Sequence, residues 1–567
     1  MKIRSFILCL IALTAACGDA RSRGAAGADG GTLVISSGSD ADGFLPAITI
    51  SGVSANVEMQ LFEKLAEVGM GLNTVGDAGF TPVLATSWTW APDSLSIAFH
   101  IDPKARWHDG PPVTANDVRF TWLLYSDSAT GSLVRPLLKS IDSVTVRDSL
   151  TPVFWFSRRS PEQFLDAAWQ MRILPQHVLG SVPHAEIKNA AFLRNPVGSG
   201  PFTFSRWDAG QAIVLDANTS YHLGRPHLDR VIFSIAPDPS ATMMRIWTGD
   251  ADFVEYLRPT DMPELLKHPN VKALPYPILN TGVVMFNERD RKDRNAPNAI
   301  FGDRETRRAL SMAVDRVAIV QSVFDSFATV GAGPLSKAYP TYDPSIPLPP
   351  YSVDSAKRIL DARGWKETAS GVREKNGQPL AFTVIVPSSS TPRRHMAELM
   401  QDYMKRIGAK MDVEIVDPPT HIARMKKGDF DVSIMLIGLD PSPANVRESW
   451  GSASAGNGGS NYSYYQSKAF DAYVDTAVAQ MDPAKAKAYF RKAYETIIAD
   501  APAIWLYEPN GVATVAKRVH TSGMRADSWA MNIKDWSIPA NERTARDRAA
   551  ARPAPAPAPA PAAAAKP

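Results

Sequence analysis

Cysteine is almost absent from this chain of 567 residues. Its two cysteines, Cys9 and Cys17, both fall within the first twenty positions. The body that follows therefore has no thiol that could form a disulfide bond, ligate a metal or act as a nucleophile. Such a composition suits an exported protein that does not depend on oxidation for its stability.

An excess of charge is also missing. Lysine and arginine number 61 against 58 aspartates and glutamates, which gives a formal net charge of +3. No basic run with interleaved aromatic residues occurs, and this balance creates no field that would attract nucleic acid. We therefore expect no nucleic-acid partner.

Catalytic signatures are missing as well. The sequence contains no G-x-S-x-G elbow, no H-E-x-x-H pair and no Walker loop. Its ten histidines are scattered, so a solvated or hydrogen-bonding role is favoured over a metal site. The sequence predicts a protein that is not an enzyme, with no cofactor and no metal.

Long apolar runs are confined to the start of the chain. Lys2 and Arg4 precede FILCLIALTAA, which is too short for a permanent membrane span and typical of a signal peptide. The run ends in TAACG, which resembles a bacterial lipobox with Thr14 where leucine is commonest and Cys17 as the lipid attachment site. The alternative is an ordinary secretory signal cut near Ala16. We expect a lipid-anchored protein in the periplasm or on the outer face of the cell membrane.

The segment richest in position-specific signals is residues 97–124, IAFHIDPKARWHDGPPVTANDVRFTWLL. Ile97, Phe99 and Ile101 alternate with Ala98, His100 and Asp102, as in a half-buried strand, and Pro103 ends the strand because it has no N–H. A Trp-His-Asp-Gly loop at 107–110 follows. Thr114 is then placed to cap a helix, with Asp117 near the positive end of the helix dipole.

Two further blocks accompany this one. Residues 195–201, NPVGSGP, lead into an aromatic hairpin, and an R-x-A-L pattern runs from Arg307 to Ile319. In this order, the three blocks closely resemble the family 5 extracellular solute-binding proteins, the peptide-, dipeptide- and nickel-type receptors of ABC importers. The resemblance covers about Leu33 to Val515.

The resemblance implies an α/β fold of the periplasmic-binding-protein-like type II clamp, with two α/β lobes and an extra subdomain inserted in the first lobe. Alternating strand and helix patterns in the second half agree with it. The predicted division is: 1–16 signal peptide; 17–31 lipid-anchored flexible tether; 32–68 first part of lobe I; 69–192 inserted subdomain; 193–276 second part of lobe I; 277–511 lobe II; 512–545 return to lobe I; 546–567 a disordered tail rich in proline and alanine. Helices are expected over 56–67 and, as one long element, over 303–324.

The resemblance also implies a ligand site between the lobes. Family receptors add an extended peptide as a strand, using the backbone of a loop before the first helix and of a strand before an aspartate. Asp440 matches the aspartate that holds the ligand's α-ammonium group, although it could also be a turn residue before Pro441. The other expected ligand-binding residues are Ser54, Ala55, Asn56, Ile437, Gly438, Leu439 and Tyr462.

These features predict the substrate-binding lipoprotein of an ABC importer. Its expected partners are an oligopeptide ligand and the permease subunits in the membrane, and the clamp itself is expected to be a monomer. Residues 387–391 lack the arginine with which family members hold a dipeptide's carboxylate, which argues against strict dipeptide specificity. The alternatives are a receptor for an oligosaccharide, opine or metal chelate on the same fold, and a signalling or chaperone-like peptide binder without a permease.

Overall fold

The computed structural model describes residues 30–456 and 459–549, so the signal peptide, most of the tether and Cys17 lie outside the described residues. Strands alternate with helices along much of the chain. In chain order, the strands are β1 Thr32–Ser37, β2 Ala66–Val68, β3 Phe80–Pro82, β4 Ala85–Trp90, β5 Ser96–Ile101, β6 Ile141–Asp148, β7 Thr151–Phe156, β8 Phe202–Asp208, β9 Ala212–Ala217, β10 Arg230–Ile235, β11 Phe253–Val254, β12 Val271–Tyr276, β13 Asn280–Phe286, β14 Ala328–Val330, β15 Lys366–Glu367, β16 Arg373–Lys375, β17 Gln378–Pro379, β18 Ala381–Pro387, β19 Lys410–Val416, β20 Val432–Gly438, β21 Ala503–Pro509 and β22 Gly511–Ala516.

The helices range from short turns to an element of 18 residues. In chain order, they are α1 Gly52–Leu61, α2 Ala115–Ser126, α3 Gln163–Ala168, α4 Gln176–Leu179, α5 Pro239–Trp247, α6 Met262–Leu265, α7 Arg304–Met312, α8 Arg316–Phe324, α9 Val353–Ala362, α10 Thr391–Arg406, α11 Pro418–Lys427, α12 Asn445–Trp450, α13 Lys468–Ala477, α14 Pro483–Asp500 and α15 Ala545–Ala549. No helix in the described part of the chain is long and apolar enough to cross a membrane.

Three sheets organise the molecule. A seven-stranded sheet in the order β12-β22-β11-β1-β10-β9-β8 belongs to lobe I, and a six-stranded sheet in the order β14-β21-β13-β20-β18-β19 belongs to lobe II. Between β1 and β8 the chain builds a four-stranded antiparallel sheet in the order β4-β5-β7-β6, which forms the inserted subdomain. The expected two-lobed α/β clamp is confirmed.

The two large sheets are joined by two short connections. One leads from the end of β12 through residues 277–279 into β13, and the other leads from β21 through Asn510 into β22. Both connections therefore pass between lobe I and lobe II within one to three residues. Such short segments at strand ends are where a hinge between two lobes can absorb a change in backbone angles.

Two of the sequence blocks meet at His108. Its Nδ1 accepts a hydrogen bond from the Gly198 N–H at 3.2 Å, and its Nε2 lies 3.1 Å from the Gly200 carbonyl oxygen. Burial lowers the pKa of His108 to about 4, so the ring is neutral and can accept at one nitrogen while it donates at the other. The Trp-His-Asp-Gly loop thereby fastens the inserted subdomain to lobe I.

Glycine is required where that contact is tightest. A Cβ atom on Gly198 would lie 1.9 Å from the backbone oxygen of Leu61, and one on Gly200 would lie 2.5 Å from that of Gln60. The Gly200 N–H donates to the Leu61 oxygen at 2.8 Å. The Gly-Ser-Gly block is therefore a place where one backbone passes directly against the end of α1.

Two predicted helices have the wrong limits. The helix expected over 56–67 is α1, which starts at Gly52 and ends at Leu61, because the Leu65 N–H instead bonds to the Ala168 oxygen at 3.1 Å. The long helix expected over 303–324 is two helices. Asp315 interrupts it by accepting a hydrogen bond from the Ala318 N–H at 3.0 Å, as the cap of a new helix does.

The end of the described chain packs against its beginning. Residues 546–549, assigned to the tail from the sequence, belong to α15. The buried Asp547 accepts a hydrogen bond from the Thr32 N–H at 2.8 Å, and Arg518 pairs with both Asp547 and Asp252 at 2.7 Å. These contacts order the segment, and residues 550–567 lie outside the described residues.

Candidate functional site

Two adjoining cavities lie at the junction of the lobes. The larger encloses about 670 Å³ and the smaller about 430 Å³. They share five lining residues, which are Glu255, Tyr256, Asp527, Ser528 and Trp529. Together they form one continuous recess of the size that ligand sites typically have, and such sites prefer the space between domains.

Lobe I supplies the larger cavity with the end of β1 and the start of α1. Ala55 and Asn56 are half-buried and line it, as expected, but Ser54 does not. Ser54 is fully buried, and its Oγ donates to Asp42 Oδ1 at 2.6 Å. The expectation that these three residues form a loop is wrong, because α1 starts at Gly52 and the Ala55 N–H bonds to the Ser51 oxygen at 3.0 Å.

Lobe II supplies the smaller cavity with the end of β20. Gly438 lies opposite Asn280 on β13, and the next residue, Leu439, donates its N–H to the Leu279 oxygen at 2.8 Å. Since residues of an antiparallel pair alternate in the direction of their hydrogen bonds, the Gly438 N–H and carbonyl point away from β13.

The opposite edge of β20 is paired along only part of its length. β18 is in register with β20 at Val432 and Ser433, near the start of the strand. Gly438 at the other end lines the smaller cavity together with Leu439 and Asp440. The cavity is thus bordered by a strand edge at which the Gly438 N–H and carbonyl have no strand partner among the described residues. Ile437, also expected at the site, pairs with Thr281 and does not line either cavity.

Asp440 stands at the end of this edge. Its Oδ1 accepts a hydrogen bond from the Ser442 N–H at 2.8 Å, and its Oδ2 accepts one from Asn445 Nδ2 at 3.2 Å. The side chain is exposed to the cavity, and the protein around it displaces part of its hydration. This partial desolvation, with the nearby charge of Glu162, raises the pKa of Asp440 to about 6. The turn role and the cavity-lining role coexist in the same side chain.

Tyr462 lies elsewhere. It is half-buried, packs against the main hydrophobic core and does not line either cavity. Its neighbour Asn461 is fully buried and donates to the backbone oxygens of Trp450, Gly451 and Tyr465. This loop is therefore fixed to lobe II by hydrogen bonds of its own.

The most prominent lining residues were missed from the sequence. Glu255 follows the two-residue strand β11, and Asp527 and Trp529 lie in the segment after β22. Neither segment carries a sequence signal that points to ligand binding. Tyr256 is 63% exposed in the structure, but no local pattern indicates that it lines the same cavity as Trp529.

The side chains that line the recess indicate the kind of ligand it can hold. In the described part of the chain, no three or more histidine, cysteine, aspartate or glutamate side chains are grouped so that they could hold a metal ion. The recess is instead lined by carboxylates, aromatic rings and backbone groups. These are the components with which proteins bind organic ligands that carry charge and hydrogen-bonding groups.

Comparisons with known proteins agree with this geometry. Residues 79–458 match the family described as bacterial extracellular solute-binding proteins, family 5 middle. The chain is 28% identical over 512 residues to the oligopeptide-binding protein AppA of Bacillus subtilis, covering 89% of this chain and 91% of AppA. It is also 28% identical over 476 residues to a putative ABC transporter peptide-binding protein of Brucella melitensis, covering 82% and 85%.

A solved structure shows the same architecture. The structure of Bacillus subtilis AppA in complex with a nonapeptide superposes with a TM-score of 0.72, at 28% identity, over 90% of this chain and 99% of that one. The family match covers two thirds of the sequence, and the two lobes, the inserted sheet and the recess between the lobes are those of a solute receptor. The chain belongs to the bacterial extracellular solute-binding proteins, family 5.

Proposed function

We propose that this protein is the substrate-binding component of an ABC importer and that it captures peptides in the recess between its lobes. The observation that carries the proposal is the open edge of β20, where the N–H and carbonyl of Gly438, beside Asp440, are paired with no strand of the described chain. A peptide in extended conformation can add to such an edge as a further strand. Its backbone is then satisfied whatever its side chains are.

Asp440 would fix the register of that strand. A ligand α-ammonium group beside this carboxylate forms a charge-assisted hydrogen bond, which is about twice as strong as a neutral one. Closure of the lobes about residues 277–279 and Asn510 would then exclude water from the contact. The names of the AppA and Brucella relatives, which refer to peptide binding, support the same ligand class.

The remaining features complete an importer's receptor. Cys17 would carry the lipid that holds the protein at the outer face of the membrane, and the bound peptide would pass to the permease subunits. The role involves binding and release, with no chemical step. The predicted domain boundaries and the monomeric state are part of this proposal.

The first experiment is native mass spectrometry of gently purified protein, followed by unfolding and sequencing of the released ligand. A ladder of peptide masses is expected. A single mass of a sugar, an opine or a metal chelate would contradict the peptide assignment and leave the solute-binding fold in place.

Calorimetric titration then tests the site. Hexa-alanine should bind, and the same peptide with an acetylated N-terminus should bind at least tenfold more weakly because it lacks the ammonium group. Asp440→Asn should weaken hexa-alanine and leave the acetylated peptide unchanged. Asp412→Asn is the matched control, because Asp412 is 58% exposed on β19 of the same lobe and pairs with Lys410. Equal binding of both peptides to the unmodified protein would overturn the role of Asp440.

A further inference from the structure

The recess contains acidic side chains whose negative charge is not neutralised by neighbouring cationic side chains. Four ionisable acidic or basic side chains line the two cavities: Glu255, Arg258, Asp440 and Asp527. Arg258 is paired with Asp261 through two contacts, at 2.7 and 2.9 Å. Asp527 is likewise paired with Arg525, whose Nη2 donates to Asp527 Oδ2 at 2.8 Å.

Glu255 and Asp440 have no such partner. Among the described residues, no lysine, arginine or histidine lies within ion-pair distance of either carboxylate. They come from different lobes and line the same 430 Å³ cavity. A carboxylate held in a recess without a cation is costly to keep charged, so each one favours a ligand that brings a cation.

The surroundings of Glu255 point to the same ligand chemistry. Tyr256, Tyr276 and Trp529 line the smaller cavity with it. Trp529 is held in place by stacking on Phe253 at 4.4 Å between ring centroids. Tyr276 and Trp529 are buried, whereas Tyr256 is 63% exposed and offers its ring to the cavity. Aromatic faces attract cations through the negative charge of their π-systems, so a carboxylate and the exposed ring next to it in the chain combine both attractions in one cavity.

Burial raises the pKa of the Glu255 carboxyl, while hydrogen bonds from the side chains of Tyr256 and Trp529 act in the opposite direction. A carboxylate can accept about four hydrogen bonds, so these two leave acceptor positions for a ligand. The protein therefore orients the Glu255 carboxylate but leaves part of its hydrogen-bonding capacity available to a ligand.

We propose that Glu255, with the exposed ring of Tyr256, binds the cationic side chain of an arginine or lysine residue, so that the receptor prefers basic peptides. This inference rests on the proposed peptide-binding function and adds a second cationic contact to the α-ammonium contact at Asp440. Arginine fits the site better than lysine, because its planar guanidinium can stack on a ring and hydrogen-bond to a carboxylate at the same time.

The test uses three sets of hexapeptides built on alanine, each with a single arginine, lysine or citrulline placed in turn at every position. Citrulline has nearly the shape of arginine but carries no charge. Calorimetry on the unmodified protein should show one position at which arginine binds about tenfold or more tightly than citrulline, as expected for a hydrogen bond to a charged group. Lysine should fall between the two.

Glu255→Gln tests the residue itself. It should reduce the ratio of the arginine and citrulline affinities to about one while hexa-alanine still binds. Glu264→Gln removes the same charge from an exposed position in the same lobe, where Glu264 pairs with Lys267, and should leave the ratio unchanged. A preference for arginine that survives Glu255→Gln would place the cation site elsewhere and overturn the assignment.

The two proposals fail in different ways. If no hexapeptide of any set binds, the peptide-binding function itself is wrong. If alanine, arginine and citrulline peptides all bind with equal affinity, the receptor function stands and the basic preference is refuted. The comparison of arginine with citrulline on the unmodified protein needs no variant, so its outcome does not depend on how well Glu255→Gln folds.

Discussion

Peptide affinity should depend on pH in a range where an ordinary aspartate would not titrate. Partial desolvation and the charge of Glu162 raise the pKa of Asp440 to about 6 in the free protein, against an ordinary value of 3.8. Only the ionised carboxylate attracts the ligand's ammonium group. Affinity should therefore be greatest near pH 7, between this pKa and that of the peptide's α-amino group at about 7.7–8.0, and should fall as the pH is lowered through 6.

The size of the effect follows from the ionised fraction. With a pKa of about 6, roughly nine tenths of the Asp440 side chains are ionised at pH 7 and roughly one in eleven at pH 5, so affinity should fall about tenfold between these values. With the ordinary pKa, more than about nine tenths would remain ionised at pH 5, and affinity would hardly change.

Calorimetric titration with hexa-alanine at pH 5, 6 and 7 provides the assay, because this ligand has no ionisable side chain and its α-amino group, with a pKa of about 7.7–8.0, stays mostly protonated over this range. Asp440→Asn should bind more weakly at pH 7 and should show a nearly flat profile, since the amide does not titrate. The acetylated peptide should show a flat profile with the unmodified protein. If the unmodified protein and Asp440→Asn lose affinity in parallel between pH 7 and 5, the titrating group is not Asp440 and the reasoning fails.

Two further predictions concern stability and are measured by denaturant-induced unfolding. Gly198→Ala should lower the free energy of unfolding by about 1–3 kcal/mol, because the new Cβ would lie 1.9 Å from the Leu61 oxygen. Gly52→Ala is the control and should not lower it, because its Cβ would meet no atom within 4 Å. Equal effects of the two substitutions would contradict the close approach of Gly198 to Leu61. Arg525→Met should lower the free energy of unfolding by about 3–5 kcal/mol, because Arg525 is 3% exposed and its loss leaves the carboxylates of Glu67 and Asp527 without their cation. Arg206→Met, whose side chain is 58% exposed, should lower it by less than about 1 kcal/mol. A small cost at Arg525 would mean that water or Lys64 replaces the lost cation.

Much of the fold could be predicted because the sequence blocks encode local backbone constraints. The tight passage of Gly198 against Leu61 and the contact of His108 with that block are conditions that few other residues satisfy. A residue pattern that meets such conditions points to one fold. The limits of α1 were harder to predict, because the sequence after Leu61 remains suitable for a helix and only the pairing of Leu65 with Ala168 ends it.

The site was predicted only in part for a related reason. Gly438, Leu439 and Asp440 follow one another where β20 ends, so the family pattern could indicate all three. Glu255 and Trp529 are 274 positions apart and follow two different strands of the lobe I sheet. Their meeting depends on the order of strands in that sheet, which no local pattern records. The net charge of the recess could not be predicted either, because it depends on the ion pairs that neutralise Arg258 and Asp527.

The contact between α15 and the start of β1 determines where this receptor can be immobilised or labelled. Thr32, which bonds to Asp547, stands at one end of β1, and residues 36–39 at the other end line the larger cavity. Six strand residues separate these ends by about 17 Å. Both ends of the described chain therefore emerge together, a strand's length away from the ligand recess. A sensor surface or a fluorescent label attached through either end would contact the receptor at a distance from the recess and leave the opening of the cleft exposed to the solution.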